Sequence, residues 1–200
     1  MKQIYRLVVL TCGLLAIAGC KGSGPGQNAV ICPIPQTATL AVGLDSQELD
    51  NWCWAASGQM VMKNLGQEVS QCSQANDEFQ LSSCCPTSTA SDECNRGGWP
   101  EFAKHQIRFQ RTAGQPLSFG DLQTQIACQK QPVAFSWKWI GGGGHMMVAV
   151  GYAVLNGTKY VEVNDPWKPN QGSHYFVTYE EYVAAPNNHD HWDDFFGFGK

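Results

Sequence analysis

One cysteine, Cys53, stands at the start of a stretch with helical character that runs from Trp52 to Leu65. A thiol in the first turn of a helix lies near the positive end of the helix dipole, which favours the thiolate form. Gln47 lies six residues upstream and can supply a side-chain N–H to a negatively charged oxygen that forms beside the sulfur. This short segment therefore offers a nucleophile together with half of a charge-stabilising site.

Two motifs further along the chain supply a base and a group that orients it. His145 follows the glycine run 141–144 and begins an apolar, strand-like stretch. Asp165 ends a second strand-like stretch and is preceded by Asn164. Because neighbours on a strand face opposite sides, only one of these two can reach the imidazole, and we expect it to be Asp165. The order Gln, Cys, His, Asp is typical of a cysteine acyl-transfer enzyme.

The sequence also offers alternatives for these roles. Cys53 taken alone fits a structural cysteine, and its assignment as nucleophile depends on Gln47 and on the two later motifs. Four other histidines compete with His145 for the role of base: His105, His174, His189 and His191. Only His145 combines close backbone approach from glycines with a following apolar strand. We therefore expect His145 to be the base.

These motifs together resemble the papain-like cysteine peptidases, and the matching stretches bracket most of residues 45–170. The resemblance is closest to the short bacterial branches: the plant-pathogen effector peptidases of papain-like fold and the leader-peptidase domains that cut after double glycine. It implies an α+β fold, with the nucleophile on a helical half, about 45–130, and the histidine on a small antiparallel β half, about 131–185. It implies a cysteine endopeptidase with the catalytic residues Cys53, His145, Asp165 and Gln47.

The chain departs from papain itself in two places. Asp50 stands three residues before the nucleophile, where papain has a cysteine. His145 follows Cys53 by only 92 residues, whereas the papain histidine lies about 130–150 residues downstream of its nucleophile. We therefore expect a trimmed version of the fold and carry over no specificity from plant or lysosomal papains. We expect four residues to line the substrate-binding cleft: Trp54, Gly143, Gly144 and Trp167.

Two other functions fit the same residues. A papain-like site runs deamidation when a side-chain amide replaces the peptide, and transpeptidation when an amine replaces water. A non-catalytic, disulfide-stapled surface lipoprotein could use the same cleft to bind a protein partner. For every alternative we expect no cofactor and no metal. The terminal group of histidines and aspartates at 189–194 lacks ordered ligand spacing, and we expect it to lie in an exposed tail.

The first 19 residues have the features of a lipoprotein signal peptide. Lys2 and Arg6 precede the apolar run 7–17, which is too short for a spanning helix of about 20 residues. Ala-Gly-Cys then ends at Cys20, the cysteine that receives lipid in a bacterial lipobox. We expect an exported, membrane-anchored lipoprotein, at the outer membrane if the host is Gram-negative. The Gly-rich residues 20–31 predict a flexible tether, followed by the peptidase domain over 32–200.

The length and the net charge of the chain limit which molecules it can bind. Hydrophobic residues make up 43% of the 200 residues, enough for one globular domain with a sizeable core. The formal net charge of −4 becomes −6 when the signal peptide is removed, because Lys2 and Arg6 leave and no acidic residue does. An acidic chain argues against nucleic acid, which needs a basic face. We expect a monomer that acts on a peptide or protein substrate.

The nine cysteines support export. Cys12 leaves with the signal peptide and Cys20 takes the lipid, so that seven remain. If Cys53 is kept free, six can form three disulfides in an oxidising compartment. The connectivity stays open, although adjacent Cys84 and Cys85 are not expected to pair with each other. The six candidates are Cys32, Cys72, Cys84, Cys85, Cys94 and Cys128.

Hydrophobic patterning predicts a helical part followed by a β part. Alternation and aromatic content predict four strands: 133–140, 146–154, 159–163 and 174–178. Asn156-Gly157 is a hairpin signal between the second and third of them. Short helices are predicted at 101–106 and after Ser118, where Asp121 completes a capping box. Asp50 or Asn51 is expected to cap the helix that carries Cys53.

Overall fold

An antiparallel sheet forms the centre of the structure, a computed structural model that describes residues 32–200. Within that range eight strands pair antiparallel. They are β1 Thr37–Thr39, β2 Arg108–Arg111, β3 Val133–Trp139, β4 Gly144–Leu155, β5 Thr158–Asp165, β6 Ser173–Thr178, β7 Ala184–Ala185 and β8 His189–Gly199. Their order is β2-β8-β3-β4-β5-β6, with β1 paired to β4 and β7 paired to β8.

Helices cover both faces of this sheet. They are α1 Cys53–Asn64, α2 Gln71–Phe79, α3 Phe119–Gln123 and α4 Tyr179–Val183. A π-helical turn, Thr124–Cys128, continues α3, and two 3₁₀ turns lie at Thr87–Thr89 and Phe102–His105. None of the helices within residues 32–200 is long and apolar enough to cross a bilayer.

Strand β4 separates two apolar cores. Successive side chains of a strand point to opposite faces, so Met146 and Val148 pack into the core beneath α1 and α2. Met147 and Ala149 face the other core, which α3 and α4 cover with Leu122 and Tyr182, among others. His145, near the start of β4, lies two residues before Met147 and therefore on the same face of the strand as Met147 and Ala149.

Helices α1 and α2 approach each other closely at Gly58. A Cβ there would overlap the side-chain oxygen of Gln74 and lie 2.9 Å from the Cβ of Pro100. Gln74 is fully buried, and its Nε2 donates to the carbonyl of Ala55 at 2.8 Å. The absence of a side chain at Gly58 therefore lets α2 hydrogen-bond directly to the backbone of the helix that begins with Cys53.

Three disulfides join the six expected cysteines. They are Cys32–Cys128, Cys72–Cys85 and Cys84–Cys94. Cys84 and Cys85 do not pair with each other, as predicted. Among the cysteines of residues 32–200, only Cys53 is free.

The four predicted strands and the Asn156-Gly157 hairpin are present, and Ser118 caps α3, although the Asp121 carboxylate accepts from the Ser118 hydroxyl and not from its backbone N–H as a full capping box requires. Asn156 and Gly157 both have positive φ, 52° and 83°, as a tight hairpin turn requires. Ser118 accepts from the Asp121 N–H at 3.1 Å. The expected cap of α1 was wrong: the N-cap position is Trp52, with no side-chain capping bond. Asn51 instead bonds to Asn95, in the loop that follows α2.

The prediction for the C-terminal segment was also wrong. The residues 189–194 are not an exposed tail but the first half of β8, which lies between β2 and β3. His189, His191 and Asp194 are all buried. The β part therefore continues beyond residue 185. The described residues form one compact unit, while the predicted signal peptide, Cys20 and the predicted tether at 20–31 lie outside them.

Candidate active site

The thiol of Cys53 lies at the amino end of α1, and its two tryptophan neighbours hold that end in place. The indole Nε1 of Trp52 donates to the carbonyl of Cys94 at 2.7 Å, and that of Trp54 donates to the carbonyl of Arg96 at 3.0 Å. Both rings are almost wholly buried. Because buried indole N–H groups need acceptors, these bonds fix the 94–96 loop against the start of the helix.

His145 and Asp165 form a close pair on neighbouring strands. The two atoms His145 Nε2 and Asp165 Oδ1 lie 2.6 Å apart, and both side chains are nearly nine-tenths buried. With Nε2 engaged, Nδ1 is the ring nitrogen left to face Cys53. The indole of Trp139 stacks beside the imidazole, with the ring planes 11° apart. The strands therefore hold the ring in one orientation.

Asp165 has two further donors besides the imidazole. The backbone N–H of Trp167 donates to Oδ1 at 2.9 Å, and the hydroxyl of Tyr175 donates to Oδ2 at 2.8 Å. Asn164 points elsewhere, since its Nδ2 donates to the carbonyl of Val42 at 3.1 Å. Of Asn164 and Asp165, the two candidates for orienting the imidazole, only Asp165 bonds to His145.

These contacts set the charge of the pair. Burial alone lowers the pKa of His145, but the hydrogen bonds and negative charge of Asp165 and Cys53 outweigh it and raise that pKa to about 9. Burial likewise tends to raise the pKa of Asp165, yet the bonds from His145, Trp167 and Tyr175 hold it below its usual range. An imidazolium beside a carboxylate is therefore the stable state of the pair at neutral pH.

Two cavities open beside Cys53 and His145. One, of about 350 Å³, is lined by Trp54, Glu78, Gly97, Gly98, Trp99, Ser136, Met146 and Trp192 as well as Cys53, His145, Gly143 and Gly144. The other, of about 700 Å³, shares Cys53, His145, Gly97, Gly143 and Gly144 with the first and adds Asp50, Asn51, Trp137, Trp139, Asp165, Trp167 and Tyr175. The thiol and the imidazole thus lie where two parts of one groove meet.

The four residues expected in the cleft all line it. Gly143 and Gly144 lie in both cavities, Trp54 lies in the smaller and Trp167 in the larger. Trp167 is 46% exposed, so its ring is open to a ligand. A Cβ at Gly144 would lie 2.5 Å from the carbonyl oxygen of Trp137. The glycine before His145 therefore permits the close strand contact that the sequence indicated.

Gln47 is fully buried, and its amide is occupied within its own loop. Nε2 donates to the carbonyls of Leu49 and Asp50, at 2.9 and 2.7 Å. Oε1 has no hydrogen-bond partner among the described residues. The backbone of Gln47 also pairs with Pro166 and Asn170. As placed, Gln47 orders the loop before Cys53, and Nε2 must release one carbonyl before it can donate to another oxygen.

The sequence profile of the Peptidase_C39 like family matches residues 35–185, which include Gln47, Cys53, His145 and Asp165. The chain belongs to that family. No protein with curated annotation matches the sequence. The short bacterial branches named by the resemblance stay a prediction.

Solved structures similar to this family member confirm the predicted architecture. One is a mite allergen structure, from work on the limited antibody cross reactivity between Blo t 1 and Der p 1. Its TM-score is 0.56 at 14% sequence identity, and the match covers 88% of this chain and 74% of the allergen chain. Another is proCathepsin B S9 from Trypanosoma congolense, with a TM-score of 0.52 at 14% identity, covering 84% and 78%. At such identity the likeness shows the fold, which is α+β and papain-like.

The other histidines of this peptidase fold lie away from the groove. His189 and His191 are buried on β8, where they bond to the carbonyls of Glu181 and Tyr182. His174 lies between Asn164 and Glu162. Residues 32–200 contain no group of three or more His, Cys, Asp or Glu side chains arranged to hold a metal ion. His145 is the histidine that shares a cavity with the free thiol.

Sequence reasoning missed Tyr175, Gly97 and Gly98. Tyr175 sits one strand from Asp165, and only the β5–β6 register brings the two together. Gly97 and Gly98 follow the 94–96 loop, whose position depends on the disulfide from Cys84 and on the tryptophan bonds. The adjacent pair of glycines was a visible signal for close backbone approach, but nothing in the sequence located it beside Cys53.

Proposed function

We propose that this chain is a cysteine endopeptidase that hydrolyses peptide bonds through Cys53, His145 and Asp165. The observation that carries the proposal is the 2.6 Å His145–Asp165 pair in a groove beside the free thiol at the start of α1. A nucleophile, a base and a group that orients the base are the elements of thiol-dependent acyl transfer.

Attack begins with a proton already on the imidazole. The Cys53 thiolate forms a C–S bond to the peptide carbonyl carbon, and the carbonyl oxygen becomes an oxyanion. His145 then gives its proton to the amine nitrogen as the C–N bond breaks. The same imidazole takes a proton from water, which attacks the thioester; the C–S bond breaks and the acid product leaves. Asp165 keeps Nε2 as a donor throughout and stabilises the imidazolium.

The oxyanion forms next to the positive end of α1. The backbone N–H of Cys53 is one donor in this proposal, and the side chain of Gln47 is the second. For Gln47 this role requires Nε2 to exchange its bond to the Leu49 or Asp50 carbonyl for one to the oxyanion. Losing one such donor typically costs about 10²–10³-fold in kcat.

The test uses the residues 32–200 with the disulfides formed. Cys53→Ala is expected to lower turnover of a mixed peptide library by at least about 10³-fold while leaving the melting temperature unchanged, because Cys53 is only partly buried. Iodoacetamide should label the wild-type protein at Cys53 and abolish its activity. Mass spectrometry of the products separates peptide hydrolysis, which splits the chain, from side-chain deamidation, which leaves it whole. Turnover retained by Cys53→Ala would refute the proposal.

We further propose that the enzyme acts outside the cytoplasm, anchored through lipid on Cys20. The support comes from the lipobox-like sequence at 18–20 and from the three disulfides, which suit an oxidising compartment. A peptide or protein substrate of the cell envelope or its surroundings would then meet the groove.

A further inference from the structure

The smaller cavity has aromatic walls. The rings of Trp99 and Trp192 meet edge to face at 5.1 Å between centroids, and both are only partly buried. Trp54 closes the cavity beneath Gly98, where an added Cβ would lie 2.9 Å from the indole. Met146 completes the apolar lining. Indole faces attract cations more strongly than other aromatic rings do.

One carboxylate opens into this aromatic cavity, that of Glu78 on α2. Apart from Cys53 and His145, Glu78 is the one ionisable residue that lines it within the described chain. The backbone N–H of Trp99 lies 3.4 Å from Glu78 Oε1, which ties the carboxylate to the cavity wall. Burial, followed by a hydrogen bond with Glu101, raises the pKa of Glu78. A cation placed in the cavity would favour the charged form and offset this cost.

The basic side chains near these walls are already engaged and do not line the cavity. Arg111 lies over the ring of Trp99 at 4.3 Å and pairs with Asp193 at 2.6 Å. Arg96 stacks over Phe79 at 4.2 Å, outside the lining. Apart from the Cys53–His145 pair, the cavity therefore has the Glu78 carboxylate and aromatic faces, with no Lys or Arg in its lining.

Lys104, whose positive charge acts on the Glu78 carboxylate, also has contacts elsewhere. Lys104 lies 4.0 Å from Glu101 and donates to the carbonyl of Asp77. It is exposed and does not line the cavity. A substrate cation would therefore meet Glu78 without displacing a resident ion pair.

We propose that this cavity is a specificity site for a Lys or Arg side chain of the peptide substrate, with Glu78 as the residue that selects its charge. The proposal rests on the proposed peptidase function and names its substrate class. The alkyl part of the side chain packs against the wall that Trp99 and Trp192 form together, and the charged end reaches the Glu78 carboxylate. Since the cavity begins at Cys53, the selected residue lies within a few positions of the cleaved bond.

The test compares fluorogenic peptides that differ at one position only, with arginine or its neutral isostere citrulline. We expect kcat/KM for wild type to be about tenfold higher with arginine at one position near the cleaved bond, in line with one partly screened ion pair plus a cation–π contact. In Glu78→Gln the ratio of the arginine value to the citrulline value should fall to the small part that the cation–π contact supplies. Glutamine keeps an oxygen for the Trp99 N–H, so the wall is preserved.

Two further variants sharpen the result. Glu93→Gln removes an exposed charge that lines neither cavity and should keep the arginine preference. Glu78→Lys should reverse the preference, so that glutamate exceeds glutamine at the same position. Equal cleavage of arginine and citrulline peptides by wild type would overturn the inference and leave the peptidase function standing. An arginine preference of wild-type size in Glu78→Gln would also overturn it. Absence of any cleavage by wild type overturns the proposed function itself.

Discussion

Asp165 controls the protonation of the site through hydrogen bonds on both of its oxygens. The imidazole of His145 and the N–H of Trp167 share Oδ1, and Tyr175 holds Oδ2. A carboxylate with three donors stays ionised in a nearly buried place. Its charge in turn keeps the His145 imidazolium to about pH 9.

Removal of that charge should change the pH dependence of cleavage. In wild type the pKa of His145 is raised to about 9, so the imidazolium needed for leaving-group protonation is present at neutral pH and is lost as the pH rises through about 9. In Asp165→Asn the pKa falls, and the alkaline limb of kcat/KM should move down by about one unit or more. Profiles of kcat/KM from pH 5 to 10 measure this shift.

A matched charge loss serves as control. Asp190→Asn removes an exposed carboxylate on β8 that takes no part in holding His145. Its alkaline limb should coincide with that of wild type. An unchanged limb in Asp165→Asn would show that the carboxylate does not set the charge of the imidazole.

At this scale the sequence predicted the groups with strong local signals. Cys53 at a helix start, and His145 after glycines, are each recognisable within a few residues of chain. The role of Tyr175 could not be predicted from the sequence, because its contact with Asp165 depends on the pairing register of β5 and β6. The hydrogen bonds of the Gln47 side-chain amide were equally unpredictable, since they depend on the path of the loop that follows Gln47.

At the scale of elements, the disulfide-bonded segment after α2 builds one wall of the groove. Cys84–Cys94 ends at the loop whose carbonyls accept from Trp52 and Trp54. Cys72–Cys85 joins α2 to the residue next to Cys84 and makes no direct bond to the start of α1. The two disulfides are close in the chain, but only Cys84–Cys94 is linked to the start of α1 by direct hydrogen bonds.

That difference predicts unequal effects on activity. Cys84→Ala with Cys94→Ala should cost about 2–3 kcal/mol of stability, as expected for a short closed loop, and should also lower kcat/KM because the 94–98 wall loses its anchor. The Cys72–Cys85 disulfide closes a loop of similar length, with a sequence separation of 13 against 10. Its removal in Cys72→Ala with Cys85→Ala should therefore cost similar stability, with a smaller loss of kcat/KM. Urea unfolding and peptide cleavage give the two readouts.

Equal losses of kcat/KM in the two double variants would contradict the role given to the Cys94 anchor. Both measurements belong at a temperature well below the lower melting point, so that unfolding does not reduce the active fraction. The connectivity behind this comparison could not be read from the sequence, because six cysteines allow fifteen pairings. Spacing alone excluded only the adjacent pair.

At the scale of the whole molecule, the order of helical part and β part was predictable and the full sheet was not. Periodicity located β3 to β6, whose apolar alternation is clear. It failed for β8, because buried His189, His191, Asp193 and Asp194 give that strand the composition of a solvated tail. Their charges and polar atoms are satisfied by tertiary partners such as Tyr182 and Arg111, which no local pattern reveals.

The proposed anchor predicts where the molecule is found. With lipid on Cys20, the full chain should sediment with membranes and enter the detergent phase of Triton X-114, because two or more acyl chains bind bilayers stably. Cys20→Ser should move it to the aqueous phase with its peptidase activity intact, since the groove lies within residues 32–200. Equal partitioning of the two forms would exclude the lipid anchor.

Strand β8 lies between β2 and β3, although it is encoded after every other described element. A ribosome therefore delivers an interior strand of the sheet last, and β3 lacks its second partner until residues 189–199 emerge. Until then β2 and β3 are separated edges, and the wall carrying Trp192 does not exist. The smaller cavity therefore gains its last wall only when synthesis has reached Trp192.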